Sequence, residues 1–109
     1  NKTRKTIIIR DFKECNNFSK YIGLMFRPKK EKALIFKFNK EKIISLHMFF
    51  VFYPIDVLFL DRNKIVADIK ENFRPFTFYS SKKNAMYVIE LPDRRIKKTK
   101  TKIGDKIKF

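Results

Sequence analysis

Short runs of large apolar residues alternate along the chain with short polar breaks. The densest run, residues 43–60 (IISLHMFFVFYPIDVLFL), contains only three positions that resist burial: Ser45, His47 and Asp56. Its Ile, Val, Phe and Tyr content favours strands, and Pro54 interrupts it. It reads as two buried strands joined near Tyr53-Pro54. A membrane-spanning helix is excluded here, since that requires about 20 mostly apolar residues. Pro54 and Asp56 break the run, and a carboxylate at mid-bilayer costs about 2.5–3.5 kcal/mol.

Residues 6–10 (TIIIR) read as a first strand. A helical pattern follows, in which Cys15, Phe18, Ile22 and Met25 recur at spacings of three, four and three, a 3.6-residue period. Asp11 or Asn16 would cap its start and Gly23 its end, and Arg27-Pro28 closes the segment. Residues 33–38 (ALIFKF) form a strand, which the polar Asn39-Lys40-Glu41-Lys42 would turn into a hairpin with a strand starting at Ile43. Residues 55–60 are a strand, Asp61-Arg62-Asn63-Lys64 a turn, and residues 65–70 a strand. Residues 71–84 are polar and read as a loop holding a short strand at 76–79. Residues 85–91 (AMYVIEL) are a strand stopped by Pro92, and Gly104-Asp105 turns the chain into a last strand at 106–109. About seven short strands predict a mainly β fold, an antiparallel sandwich or partly closed barrel with one N-terminal helix. One helix cannot support alternating βαβ units. Residues 1–109 fit a single domain.

Composition adds three constraints. The aromatic load is 13 Phe and 4 Tyr with no Trp, enough rings to fill a sandwich interior. The single cysteine, Cys15, allows no internal disulfide, which agrees with a cytoplasmic location. The 27 Lys and Arg against 11 Asp and Glu give a formal charge of +16. Such a charge attracts polyanions, whether nucleic acid, acidic lipid or acidic protein. Compositional bias toward Lys, Ile, Asn and Phe competes with that reading. A lysine-rich surface with only two Gly also suits a heat-stable protein. The apolar stretch at 6–10 is too short for a secretory signal. The chain starts at Asn rather than Met, which leaves room for a preceding leader.

Few chemistries survive this inventory. One His and one Cys cannot make the usual zinc site, and Asp56, Asp61 and Glu90 lack the spacing of a calcium loop. No metal and no cofactor are expected. Ser19, Ser45, Ser80 and Ser81 lack a nucleophile-elbow context, and Cys15 sits on the apolar helical stripe as a structural residue. Two glycines cannot build a phosphate loop. No catalytic residues are assigned.

Asp56 is the most informative polar residue. Strand alternation puts Ile55, Val57 and Phe59 on one face and Asp56, Leu58 and Leu60 on the other. Both faces are apolar, so the carboxylate needs a partner: Arg27, or backbone N–H groups around the Pro54 turn. A structural, hydrogen-bonded Asp56 is the favoured reading. The alternative is a ligand-binding rim pocket lined by Arg27, His47, Asp56 and Glu90. At the C-terminus, Arg94, Arg95, Lys97, Lys98, Lys100, Lys102, Lys106 and Lys108 face one acid, Asp105. That cluster suits phosphate binding. Only Phe109 accompanies it, so base stacking is poorly served. The Lys-Thr-Lys-Thr-Lys alternation of residues 98–102 also reads as a solvated edge strand, which is the favoured reading of this cluster over nucleic-acid binding.

Several fragments form a recognisable series: Gly23-Leu24-Met25-Phe26-Arg27, Ala33-Leu34-Ile35-Phe36-Lys37-Phe38, His47-Met48, Pro54-Ile55-Asp56-Val57-Leu58-Phe59-Leu60-Asp61, Val88-Ile89-Glu90-Leu91 and Ile103-Gly104-Asp105. Their order and spacing resemble domain-of-unknown-function family 192, from about Tyr21 to the C-terminus. The resemblance implies a compact, mostly β sandwich and no established biochemical activity. Where that family carries Trp-Met-Lys-Asn before its Pro-x-Asp, this chain has His47-Met48-Phe49-Phe50. Asp93-Arg94 replace the glycine that often follows Glu-Leu-Pro. Two functional expectations remain. The first is a small non-enzymatic binding domain whose rim pocket takes an unknown small ligand. The second is a sequence-independent nucleic-acid binder using Arg94, Arg95, Lys97, Lys98, Lys100 and Lys102.

Overall fold

Most of the apolar runs become strands, as their β-branched and aromatic content predicts. The computed structural model describes residues 5–9, 12–15, 33–47, 54–74 and 77–109. Among these residues the elements are β1 (Thr6–Ile8), β2 (Phe12–Cys15), β3 (Ala33–Lys42), β4 (Ser45–His47), β5 (Ile55–Leu60), β6 (Val66–Phe73), β7 (Phe78–Ser80), β8 (Ala85–Pro92), α1 (Arg95–Thr99) and β9 (Lys106–Lys108). Five strands form one sheet in the order β2-β3-β8-β5-β6. Its last four strands are antiparallel, and β2 runs parallel to β3 at one edge. The sheet stays open, with β2 and β6 at its edges. Two ribbons complete the architecture: β1 parallel to β9, and β4 antiparallel to β7.

Each face of the sheet is covered. Ile55, Val57, Phe59, Phe36 and Val88 pack on one face with Ile44, which precedes β4, and Tyr79 of β7. Leu58, Leu60, Ile35, Ile89 and Leu91 pack on the other with Ile107 of β9, Ile96 of α1 and Ile7 of β1. All six residues of β5 are therefore buried. A strand covered on both sides reads as a continuous apolar run instead of an alternation, which is why PIDVLFL is so dense. Burying one such Leu or Phe contributes about 1.5–3 kcal/mol.

The structure corrects four sequence expectations. Asn39-Lys40-Glu41-Lys42 is not a turn: β3 continues to Lys42, which pairs with Ala85 of β8 after a register shift beyond Lys37. The long ladder to β8 prevails over the local turn signal, and β4 pairs with β7 instead of β3. The two strands of the dense run are likewise not partners, because β5 pairs with β6 and β8. Cys15 lies in β2 opposite Phe36, not on a helix; Phe18, Ile22 and Met25 lie outside the described residues. Finally, the alternation at residues 98–102 is not an edge strand: Lys98 and Thr99 end a helix over Arg95–Thr99, and Lys100 caps it with φ 56°. The 61–64 turn is as expected, with Asp61 Oδ1 accepting the N–H groups of Asn63 at 2.8 Å and Ile65 at 3.1 Å.

Candidate functional site

The site begins with a mismatch in strand length. Ile55 opposes Phe73 while Val57 opposes Lys70, so Asp56 alone faces the two residues Glu71 and Asn72. This two-against-one arrangement is a β-bulge. Asn72 takes φ 51°, a left-handed conformation that asparagine tolerates better than most residues. Its N–H, turned out of the ladder, donates to Asp56 Oδ1 at 3.0 Å. The second oxygen, Oδ2, accepts the N–H of Ile96 at 2.9 Å.

Ile96 is the second residue of α1, whose cap residue Arg94 has φ 69° and makes no side-chain capping bond. Asp56 supplies that missing acceptor from 40 residues away. Its negative charge also lies at the favourable end of the helix dipole. At the opposite end, Lys5 Nζ donates to the carbonyls of Thr99 at 2.5 Å and Lys100 at 3.0 Å. Lys100 has φ 56° and closes the helix with its own N–H. Five residues would not coil in isolation. They do so here because β5 caps one end, Lys5 the other, and Ile96 enters the core.

The rim residues proposed from sequence are not gathered into one pocket. Asp56 pairs with Leu91, whereas Glu90 pairs with Val57 and Leu34. Directly paired residues share a face, so the two carboxylates project from opposite faces. Asp56 is 1% exposed and its oxygens are taken by backbone donors. Those donors belong to Asn72 and Ile96 and not to the Pro54 turn. Glu90 is also buried. His47 lies on β4 opposite Phe78, in the ribbon on Glu90's side of the sheet, and Arg27 falls outside the described residues.

A second carboxylate was missed. Asp68 pairs with Phe59 while Leu60 pairs with Val66, so a second irregularity at Ala67 sends Val66 and Asp68 to opposite faces. Simple alternation would have put them together, and no sequence signal marks the break. Asp68 Oδ2 accepts Tyr79 OH at 2.7 Å and Lys82 N–H at 2.9 Å; Oδ1 accepts Ile69 N–H at 2.8 Å. Burial pushes this carboxyl up, but those hydrogen bonds and the Lys82 charge outweigh it and hold the group below its ordinary value. Burial, followed by the Asp68 bond and charge, pushes the Tyr79 phenol up to about 12. The Tyr79 ring meets Phe59 at 5.8 Å and Phe73 at 6.4 Å, and Lys70 Nζ lies 5.3 Å from its centroid.

The cations that the sequence marked for phosphate binding occupy the other cover, on the Asp56 side. Arg94, Lys97, Lys98, Lys100, Lys102 and Lys108 are exposed and Arg95 is half-buried. Lys106 Nζ donates to the Asn63 carbonyl at 2.9 Å. Among the described residues, none of Lys97, Lys98, Lys100 and Lys102 is held in an ion pair, whereas Arg62 reaches Glu41 at 3.6 Å. The turn after Lys102 is rigidly bonded. Asp105 Oδ2 accepts Lys102 N–H at 2.8 Å, Gly104 N–H reaches Val66 O at 2.9 Å, and Gly104 has φ 98°. Among the described residues no cluster of His, Cys, Asp and Glu could hold a metal, and no helix is long and apolar enough to cross a membrane.

The model of domain-of-unknown-function family 192, described as an uncharacterized ACR group, matches residues 15–109. The chain belongs to that family. A UPF0127 protein of Thermococcus sibiricus is 41% identical over 92 residues, covering 83% of this chain and 59% of the relative. A UPF0127 protein of Pyrococcus horikoshii is 41% identical over 90 residues, covering 81% of this chain and 76% of its own length. The chain thus spans only 59% of the Thermococcus relative. A solved structure of unknown function from Novosphingobium aromaticivorans superposes with a TM-score of 0.80 at 23% identity, covering 87% of this chain and 71% of that one. The solved structure shares the fold of this chain, and none of these names states an activity. Within that fold, Pro54-Ile55-Asp56 forms the clip that seats α1, and Ile103-Gly104-Asp105 forms the bonded turn beyond it.

Proposed function

We propose that this family 192 chain is a non-enzymatic docking domain that binds a phosphate-bearing polyanion through the basic cover formed by α1, the following turn and β9. The carrying observation is the set of exposed lysines on α1 and its turn, a segment seated by Asp56 and Lys5, whose side chains are held in no ion pair among the described residues. A heat-stable surface would account for lysines organised into ion-pair networks; these are not so organised. Lysine is a point charge without arginine's bidentate fork, so binding of this kind follows charge and not base sequence. Nucleic-acid contacts would fall to Arg94, Arg95, Lys97, Lys98, Lys100 and Lys102. The small-ligand reading has less support, since Asp56 and Glu90 face apart and Asp56 is spent on backbone donors. Residues 1–109 are taken as one domain acting in the cytoplasm.

Labelled duplex and single strands titrated at two salt concentrations test this reading. Dissociation constants of about 10⁻⁴ to 10⁻⁶ M that weaken steeply with salt are expected. Lys97→Ser with Lys98→Ser should flatten the logarithmic salt slope by about 0.9 for each phosphate left without its lysine. Strands left unbound at about 50 mM salt would overturn nucleic acid as the polyanion.

A further inference from the structure

We infer that the polyanion fitting this cover is an anionic lipid surface, with Ile103 and Ile8 entering the headgroup boundary among the lysines. The inference rests on the polyanion reading above and narrows it to one partner. Ile103 is 64% exposed and Ile8 is 52% exposed, and both belong to the layer that carries the basic segment. In the β1–β9 ribbon Ile8 is in register with Lys108, and Ile7 with Ile107. Ile7 and Ile107 pack into the core, so the next pair, Ile8 and Lys108, stands on the outer side. Ile103 follows Lys102 at the tip of the bonded turn, where Asp105 and Gly104 fix the backbone.

An isoleucine held in water by a rigid turn gains from entering an acyl boundary. It gains little from a nucleic-acid backbone, whose protein contacts are polar and cationic. Aromatic stacking points the same way. Tyr87 and Phe109 meet edge to face with centroids 5.5 Å apart, but Lys64 Nζ sits 4.0 Å over the Phe109 ring. That ring face is already covered by a cation, so it offers no free platform for a base. The cover is also a short helix, a turn and a narrow ribbon, with no strand-tracking groove needed to reach headgroups. Diffuse lysine charge suits a fluid anionic surface.

The test is sedimentation with vesicles of phosphatidylglycerol and phosphatidylcholine, with pure phosphatidylcholine vesicles and duplex DNA as parallel probes. The parent chain should partition onto the anionic vesicles at low salt and leave the neutral ones. Ile8→Ser with Ile103→Ser, both at exposed positions, should lower anionic-vesicle partitioning about tenfold while leaving duplex binding unchanged. Lys97→Ser with Lys98→Ser should weaken both. Duplex binding without vesicle binding would overturn the lipid inference and spare the polyanion reading, and so would isoleucine variants that partition like the parent. Failure to bind either probe would overturn both.

Discussion

Asp56 and Asp68 project from opposite faces of one sheet, and each fastens the layer lying over its face. Asp56 takes only backbone donors, one from the β6 bulge and one from α1. Asp68 takes a phenol and two backbone donors, and so ties β6 to β7 and to the turn that follows it. The difference lies in what happens when the carboxylate goes. The Ile96 N–H bond to Asp56 is buried and has no local substitute, because Arg94 does not cap the helix. The donors around Asp68 are only partly buried, so water can replace part of what is lost. A buried polar group in a strand is therefore no sign of a binding site until its donors are known.

The largest expected effect comes from Asp56→Ala, which orphans two backbone donors and should cost about 3 kcal/mol in urea unfolding. Asp56→Asn should do little better, since its amide would aim N–H at N–H. In hydrogen exchange the Ile96 amide should lose protection while the β4–β7 ribbon keeps its own. Asp68→Ala should invert that pattern at a smaller cost of about 2 kcal/mol, releasing Lys82 and Tyr79 while α1 stays protected. Equal loss at both covers in either variant would break the comparison.

Tyr79→Phe should cost about 1 kcal/mol, removing one hydrogen bond but retaining the ring contacts. Titration sharpens this. The Asp68 carboxyl is held below its ordinary value, so its stabilisation is complete above about pH 4 and is lost as pH falls through the lowered value. Unfolding followed against pH should show that acid-side loss in the parent and a smaller one in Asp68→Asn. The Tyr79 phenol is raised from 10.0 to about 12, so its contribution is complete below the ordinary value and lost as pH rises through the raised one. Its phenolate absorbance should appear near 12 in the parent and earlier in Asp68→Asn. The smallest effect is expected for Arg62→Ala. Its ion pair to Glu41 is exposed on the arginine side, and its loss should change stability by less than about 0.5 kcal/mol.

Much of the sheet was legible because its signals are local. Runs of β-branched and aromatic residues marked the strands that became β3, β5, β6 and β8, and Asp61 announced the turn between β5 and β6 by its ability to cap its own backbone. That Asp56 needed partners was also legible, since it interrupts an apolar strand. Which partners it found was not. A polar quartet such as Asn39-Lys40-Glu41-Lys42 is as compatible with the exposed end of a strand as with a turn, and only the ladder to β8 chooses. The two β6 irregularities, at Ala67 and at Asn72, shift side chains between faces without any proline or glycine to mark them.

The chain's own residues determine that it is mainly β, that its described interior is largely aliphatic with Phe36, Phe59 and Phe73 among it, and that positive charge remains outside, because those properties follow from the burial preference of each residue. Pairing order, the helix at residues 95–99 and the role of Asp56 were decided only by tertiary contact. A carboxylate on β5 and a lysine 94 residues from Thr99 are what make five residues coil, and no window of sequence contains all three.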